Sequence, residues 1–171
     1  MQTASGLPIR KRIRLKGFHY GGACAYYLTI CAFEKRMLFG SCTNAVVSLS
    51  EIGALVESSW KATESLRPGI LLDEFIVMPN HMHAIIHLPK ESARRTLFSL
   101  VGGFKSEVTS EVRRRRSDAT FNGWQKRFND HIIRSDHELE RIREYIRANP
   151  ARWCGLDPEF GTAQPCRTPS R

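Results

Sequence analysis

Hydrophobic and polar positions change period several times along the chain, and each change predicts an element. Residues 25–33 (AYYLTICAF) are dense in aromatic and β-branched side chains and read as a first strand. From 44 to 66, Val47, Ile52, Leu55, Val56 and Trp60 recur near helical spacing, which predicts a long helix stopped by Pro68-Gly69. Two apolar runs follow, 70–77 and 81–88, joined by Met78-Pro79-Asn80, a connection short enough for a hairpin. Leu97, Leu100, Val101, Phe104 and Val108 predict a second helix over 96–115, weakened locally by Gly102-Gly103. After a polar loop at 117–123, residues 124–134 (WQKRFNDHIIR) read as a fourth strand, and Asp136 is placed to cap a last helix running to about residue 148. The order is therefore β-α-β-β-α-β-α. Its first six elements match the split βαβ, ferredoxin-like arrangement. That is an α+β fold with an antiparallel four-stranded sheet and two helices on one face. The C-terminal helix then has the open face to dock on.

At 171 residues the chain is long enough for one domain with a substantial core. Residues 1–22 read as a basic arm, 23–153 as the domain, and 154–171 as a flexible tail rich in Pro, Gly and Ser. Lys and Arg total 26 against 17 acidic residues, and the net charge of +9 favours a polyanionic partner. No apolar run approaches a membrane span and the N-terminus lacks the apolar centre of a signal peptide, so the expected compartment is the cytoplasm. Five cysteines without a C-x-x-C pair argue against a disulfide framework or a zinc ribbon, and read as small buried or tolerated thiols.

The chemistry concentrates in His81-Met82-His83 and in Tyr145 with Asn149. Residues two apart on a strand share a face, so both imidazoles project together and can chelate a divalent cation. Residues four apart on a helix are also neighbours, so a phenol and an amide oxygen can meet that pair together. A metal beside a positioned hydroxyl suggests phosphoryl transfer. Each residue also has a plainer reading. A His-x-His alone is more often structural, Tyr145 alone more often anchors a helix, and Asn149 before Pro150 suits a helix end. His87 lies too far along the strand to join the pair and reads as a packed histidine or a DNA contact, while a structural hydrogen bond suits His131.

Several ordered motifs together carry a family resemblance. Val77-Met78-Pro79-Asn80-His81-Met82-His83, the 124–134 segment ending Asp130-His131-Ile132-Ile133-Arg134, and Arg143-Glu144-Tyr145-Ile146-Arg147-Ala148-Asn149-Pro150 closely resemble the single-tyrosine HUH transposases. Ile13-Arg14-Leu15-Lys16-Gly17, Tyr27-Leu28-Thr29-Ile30 and Leu38-Phe39-Gly40 look like the REP-associated branch, and the likeness runs from about residue 10 to Trp153. The resemblance implies a metal-dependent nuclease and strand transferase acting on single-stranded DNA beside a palindromic hairpin with a short guide sequence. It implies that His81, His83 and Asn149 hold Mg²⁺ or Mn²⁺, and that Tyr145 attacks the phosphate to form a 5′-phosphotyrosine.

In that setting Arg113, Arg114, Arg115 and Arg116 are either a solvated helix end or phosphate contacts, and Lys105, Lys126, Arg127, Arg134, Arg143 and Arg147 are candidates for the same groove. Arg10, Lys11, Arg12, Arg14 and Lys16 read either as an arm that clamps a hairpin or as one disordered until DNA binds. Phe18, Tyr20 and Phe104 suit either base stacking or packing. The short 134–136 linker favours a monomer. Two other functions compete: a ferredoxin-like single-stranded nucleic-acid binding module without chemistry, and a metal hydrolase that leaves Tyr145 idle.

Overall fold

The computed structural model describes residues 23–89 and 93–156, so the expected basic arm and most of the tail lie outside the described residues. In chain order the elements are β1 (Ala23–Cys31), β2 (Gly40–Thr43), β3 (Val46–Leu49), α1 (Glu51–Leu66), β4 (Leu71–Met78), β5 (His81–Pro89), α2 (Ala93–Arg116), β6 (Asn129–Ile133) and α3 (Asp136–Trp153). Four strands form an antiparallel sheet in the order β4-β5-β1-β6, the ferredoxin-like arrangement expected from the element order.

The two faces of the sheet have different roles. Tyr26, Leu28 and Ile30 of β1 and Met82, Ala84, Ile86 and Leu88 of β5 point to one face, where Val56 and Trp60 of α1 and Leu100, Val101 and Phe104 of α2 cover them. Strand alternation sends His81, His83, Ile85 and His87 to the other face. There α3 packs Leu139 and Ile146 on Ile85 and Ile133. Burial of one such aliphatic side chain contributes about 1.5–3 kcal/mol, so the larger cluster dominates the fold. Both central strands are buried on both sides, and the histidine pair is bedded in rigid structure.

Several boundaries differ from the expected pattern. The first helix starts at Glu51 rather than 44, because residues 40–49 form the β2–β3 hairpin. Its two turn residues, Asn44 and Ala45, have φ of 50° and 60°, a mirror-image turn that matches strand twist. Ser50 then caps α1 by accepting the Gly53 N–H at 3.1 Å and donating to the Leu38 carbonyl at 2.7 Å. The fourth strand begins at Asn129, not Trp124. Trp124 makes only a single bridge to Ala32, and its ring turns into the core beside Phe39 and Phe104.

The cap of α3 is Ser135, whose hydroxyl accepts the Glu138 N–H at 3.2 Å, and Asp136 is the first helical residue. The helix also continues through Pro150 to Trp153 instead of ending near 148. Proline costs the helix one backbone hydrogen bond. Packing of the last turn outweighs that loss, and the Cys154 N–H closes it on the Pro150 carbonyl at 3.2 Å. Among the described residues no helix is long and apolar enough to cross a membrane.

Candidate functional site

The Nε2 atoms of His81 and His83 stand 3.1 Å apart, both on buried rings. Neighbouring groups fix each ring from behind. The Asn80 amide nitrogen donates to the Lys35 carbonyl at 3.3 Å, which turns its oxygen toward His81 Nδ1 at 2.7 Å. That oxygen accepts the Nδ1 proton and leaves Nε2 as a lone pair. His83 Nδ1 lies 2.8 Å from the Tyr27 hydroxyl and 3.0 Å from the Thr29 hydroxyl. Hydroxyls both donate and accept, so they serve His83 in either tautomer. They come from β1, where Thr29 is the direct cross-strand partner of His83.

This arrangement suits a divalent cation. Two nitrogens bound at right angles to one ion, each about 2.1 Å away, stand about 3 Å apart. Burial pushes His81 down to about 4, and burial with the neighbouring His81 holds His83 well below the usual range. Both rings are therefore neutral near pH 7, with lone pairs available. Among the described residues no third His, Cys, Asp or Glu joins them, so any further protein donor is of another type.

The last helix carries a buried amide, Asn149. Tyr145, Asn149 and Trp153 are four apart and share one face of α3. The Tyr145 ring centre lies 5.4 Å from that of His83, and the Trp153 ring centre 5.8 Å from that of His81. Asn149 sits midway between them on that face and is 5% exposed. Tyr145 is 37% exposed, open enough to meet a bound strand. Its ring also stands edge-on to Tyr27 at 6.3 Å and carries the Arg152 guanidinium at 4.8 Å.

A bulge in β4 between Leu72 and Phe75 holds this helix in place. Consecutive strand residues normally face opposite ways, but the bulge lets Asp73 and Glu74 both reach α3. Arg143 grips the Asp73 carboxylate with two nitrogens at 2.9 and 2.5 Å, and His87 Nε2 meets the same carboxylate at 2.9 Å. Burial alone would raise the Asp73 carboxyl, yet His87 and Arg143 together hold it well below the usual range. Arg147 pairs with Glu74 at 2.9 Å. His87 is thus the packed histidine, and His131 makes a hydrogen bond to Glu138 at 2.7 Å.

The other basic candidates are scattered. Arg114 and Arg115 both bind Glu111, and Arg113 donates to the Phe121 carbonyl at 3.0 Å. Arg116, Lys126, Arg127 and Arg134 are exposed. Lys105 is half-buried and holds the 125–127 backbone through the Gln125 carbonyl at 2.9 Å. Phe104 is a core residue between Trp60 and Trp124 rather than a stacking platform. Sequence reasoning missed Tyr27, Thr29 and Asn80 as supports of the histidines, and Asp73 and Glu74 as anchors. The alternation of Tyr27 and Thr29 was visible, but only the strand register gives it meaning.

Comparison with known proteins fits this geometry. The family model described as transposase, IS200 like, matches residues 61–149, a span that carries His81, His83, Tyr145 and Asn149. A Haemophilus influenzae protein described as uncharacterized is 33% identical over 168 residues, covering 87% of this chain and 92% of its own length. The structure of a REP-associated tyrosine transposase bound to a REP hairpin superposes with a TM-score of 0.59 at 20% identity, over 82% of this chain and 73% of that one. A Deinococcus radiodurans R1 protein named as a transposase superposes with a TM-score of 0.51 at 14% identity, over 77% of this chain and 92% of its own.

Proposed function

This chain belongs to the IS200-like transposase family, and from that premise we propose that it nicks and rejoins single-stranded DNA through Tyr145. The observation that carries the reading is the Tyr145 ring against His83, beside two neutral imidazoles whose Nε2 atoms converge. In the proposed reaction the Tyr145 hydroxyl oxygen attacks a backbone phosphorus. The new O–P bond forms as the bond to the 3′ oxygen breaks, the phenolic proton leaves, and the 3′ oxygen takes up a proton. The product is a 5′-phosphotyrosine and a free 3′-OH. Rejoining reverses the step with another 3′-OH, so the phosphodiester energy is kept and no nucleotide cofactor is needed.

His81, His83 and Asn149 are the proposed ligands of Mg²⁺ or Mn²⁺. When bound, such an ion supplies Lewis-acid neutralisation of charge on the phosphate and the departing oxygen. Asn80 holds His81 in the tautomer that presents Nε2, and Tyr27 with Thr29 fixes the orientation of the His83 ring. The proposed substrate is a hairpin with an adjacent single strand, a choice supported by the REP hairpin on the solved neighbour.

The test uses a hairpin-flanked single strand labelled at either end, incubated with Mn²⁺ or Mg²⁺. The expected result is a denaturation-resistant protein–DNA adduct at the 5′ end of the fragment downstream of the cut, abolished by EDTA. Tyr145→Phe should bind the DNA and form neither cut nor adduct. A Phe variant that still nicks at the normal rate moves the chemistry to activated water and overturns the proposal.

A further inference from the structure

Two thiols of distant sequence origin meet at the C-terminal end of the tyrosine helix. Cys42 of β2 and Cys154, the residue that ends α3, have their sulfurs 3.6 Å apart. The contact is built from both sides. The Ala45 N–H, from the tight hairpin turn, points at Cys154 Sγ at 3.4 Å, and Cys42 Sγ points at the Pro150 carbonyl at 3.7 Å. Both residues are half-buried, within reach of a small oxidant yet shielded from large ones. Nothing in the nicking chemistry uses them.

We propose that Cys42 and Cys154 are a reversible redox pair whose disulfide switches the DNA-processing site off. The oxidant is of the peroxide class. Cys154 reacts first, because the Ala45 N–H points at its sulfur, whereas burial and the neighbouring Cys154 push the Cys42 thiol up to about 11. The Cys154 sulfur attacks one peroxide oxygen, the O–O bond breaks, and sulfenic acid and one water result. The Cys42 sulfur then attacks the sulfenic sulfur. The S–S bond forms, the S–O bond breaks, and the Cys42 proton leaves with the hydroxide as a second water. A thiol reductant restores both thiols by exchange.

The consequence for the site follows from α3. To bond, the sulfurs must close from 3.6 Å by roughly 1.5 Å. The pull falls on the last turn of α3, next to Trp153, whose ring packs beside His81, and about one turn beyond Asn149. The β2–β3 hairpin becomes covalently tied to the element that carries Tyr145. A displacement of about 1 Å at a catalytic constellation costs on the order of 100-fold in rate. In a reducing compartment such a pair is idle until oxidants rise, the usual setting for redox-sensing disulfides.

The effect on cleavage rests on the function proposed above, whereas the thiol chemistry does not. The purified full chain is treated with hydrogen peroxide and digested without reduction, and its peptides are mapped by mass. The expected product is one cross-link between the peptides containing residues 42 and 154, with Cys24, Cys31 and Cys166 still free. DNA cleavage should fall about 100-fold and return with dithiothreitol. A Cys42→Ser/Cys154→Ser double variant, checked for folding by its thermal transition, should keep its rate through both treatments. Mn²⁺ affinity gives a second readout and should fall about tenfold on oxidation. Absence of the 42–154 cross-link overturns the pairing. A cross-linked protein that cleaves and binds Mn²⁺ as the reduced one does overturns the switch. If the reduced protein cleaves nothing, the functional reading fails alone, and the peptide map with the Mn²⁺ affinities still decides the pair.

Discussion

Removing the carboxylate of Asp73 is the most informative single perturbation, because three elements converge on it. The Asp73 and Arg143 side chains are 9% and 19% exposed. Asp73→Ala strips Arg143 of two hydrogen bonds and His87 Nε2 of its 2.9 Å contact, and leaves a largely buried guanidinium poorly compensated. Removing one partner of a buried pair costs about 3–5 kcal/mol, and the residual solvent access of Arg143 places this case near the lower end, about 3 kcal/mol. For a domain of this size that corresponds to about 6–12 °C in Tm. The pH dependence has a definite sign. The folded carboxyl titrates well below its unfolded value of about 3.9, so the stabilisation is complete above that pH and is lost as pH falls below it. Urea unfolding followed by tryptophan fluorescence should show a constant gap between wild type and variant from about pH 5 to 8, narrowing below about pH 4. A loss under about 1 kcal/mol at pH 7 would refute the reasoning, since that is the worth of an exposed pair.

Tyr27→Phe removes the hydroxyl at 2.8 Å from His83 Nδ1 and should weaken Mn²⁺ binding about tenfold in calorimetric titration with little change in stability; an unchanged affinity contradicts the orienting role. Because burial holds His81 neutral down to about 4, Mn²⁺ affinity should stay level as pH falls to about 5 and drop only below it, and a midpoint near 6.5 would contradict the buried, neutral pair. Replacing Arg113, Arg114, Arg115 and Arg116 with Gln should flatten the salt dependence of DNA affinity and leave Mn²⁺ binding intact; an unaltered slope in filter-binding assays means these arginines are only a solvated helix end.

What could be read from the chain follows from how local each signal is. The alternation through His81, Met82 and His83 and the spacing of Tyr145 and Asn149 are period signals, and they carried both the sheet and the approach of Tyr145 to His83. The β2–β3 hairpin escaped because Val47 falls equally on a strand and on a helical stripe, and the left-handed turn uses Ala45 where glycine would announce it. Trp124 misled in the same way. Its apolar bulk suits a strand, but the cavity between Phe39 and Phe104 claims the ring. Pro150 reads locally as a stop, and only the packing of Trp153 and Cys154 against other elements explains why α3 runs past it. The Asp73 and Glu74 anchors depend on a bulge, an irregularity of pairing that no single strand encodes.

The sheet and α1–α2 share the larger core, whereas α3 is held by Leu139 and Ile146 on a small apolar patch and by two ion-pair contacts to β4. Backbone amides of α3 should therefore exchange with solvent through a sub-global opening that costs less than complete unfolding, while those of β1 and β5 await the whole transition. In that partly open molecule the imidazole pair stays seated on β5, but the phenol and the amide side chain have gone. Heat or mild denaturant then silences the chemistry before the sheet melts, and loss of activity tracks the detachment of one helix rather than the denaturation of the protein.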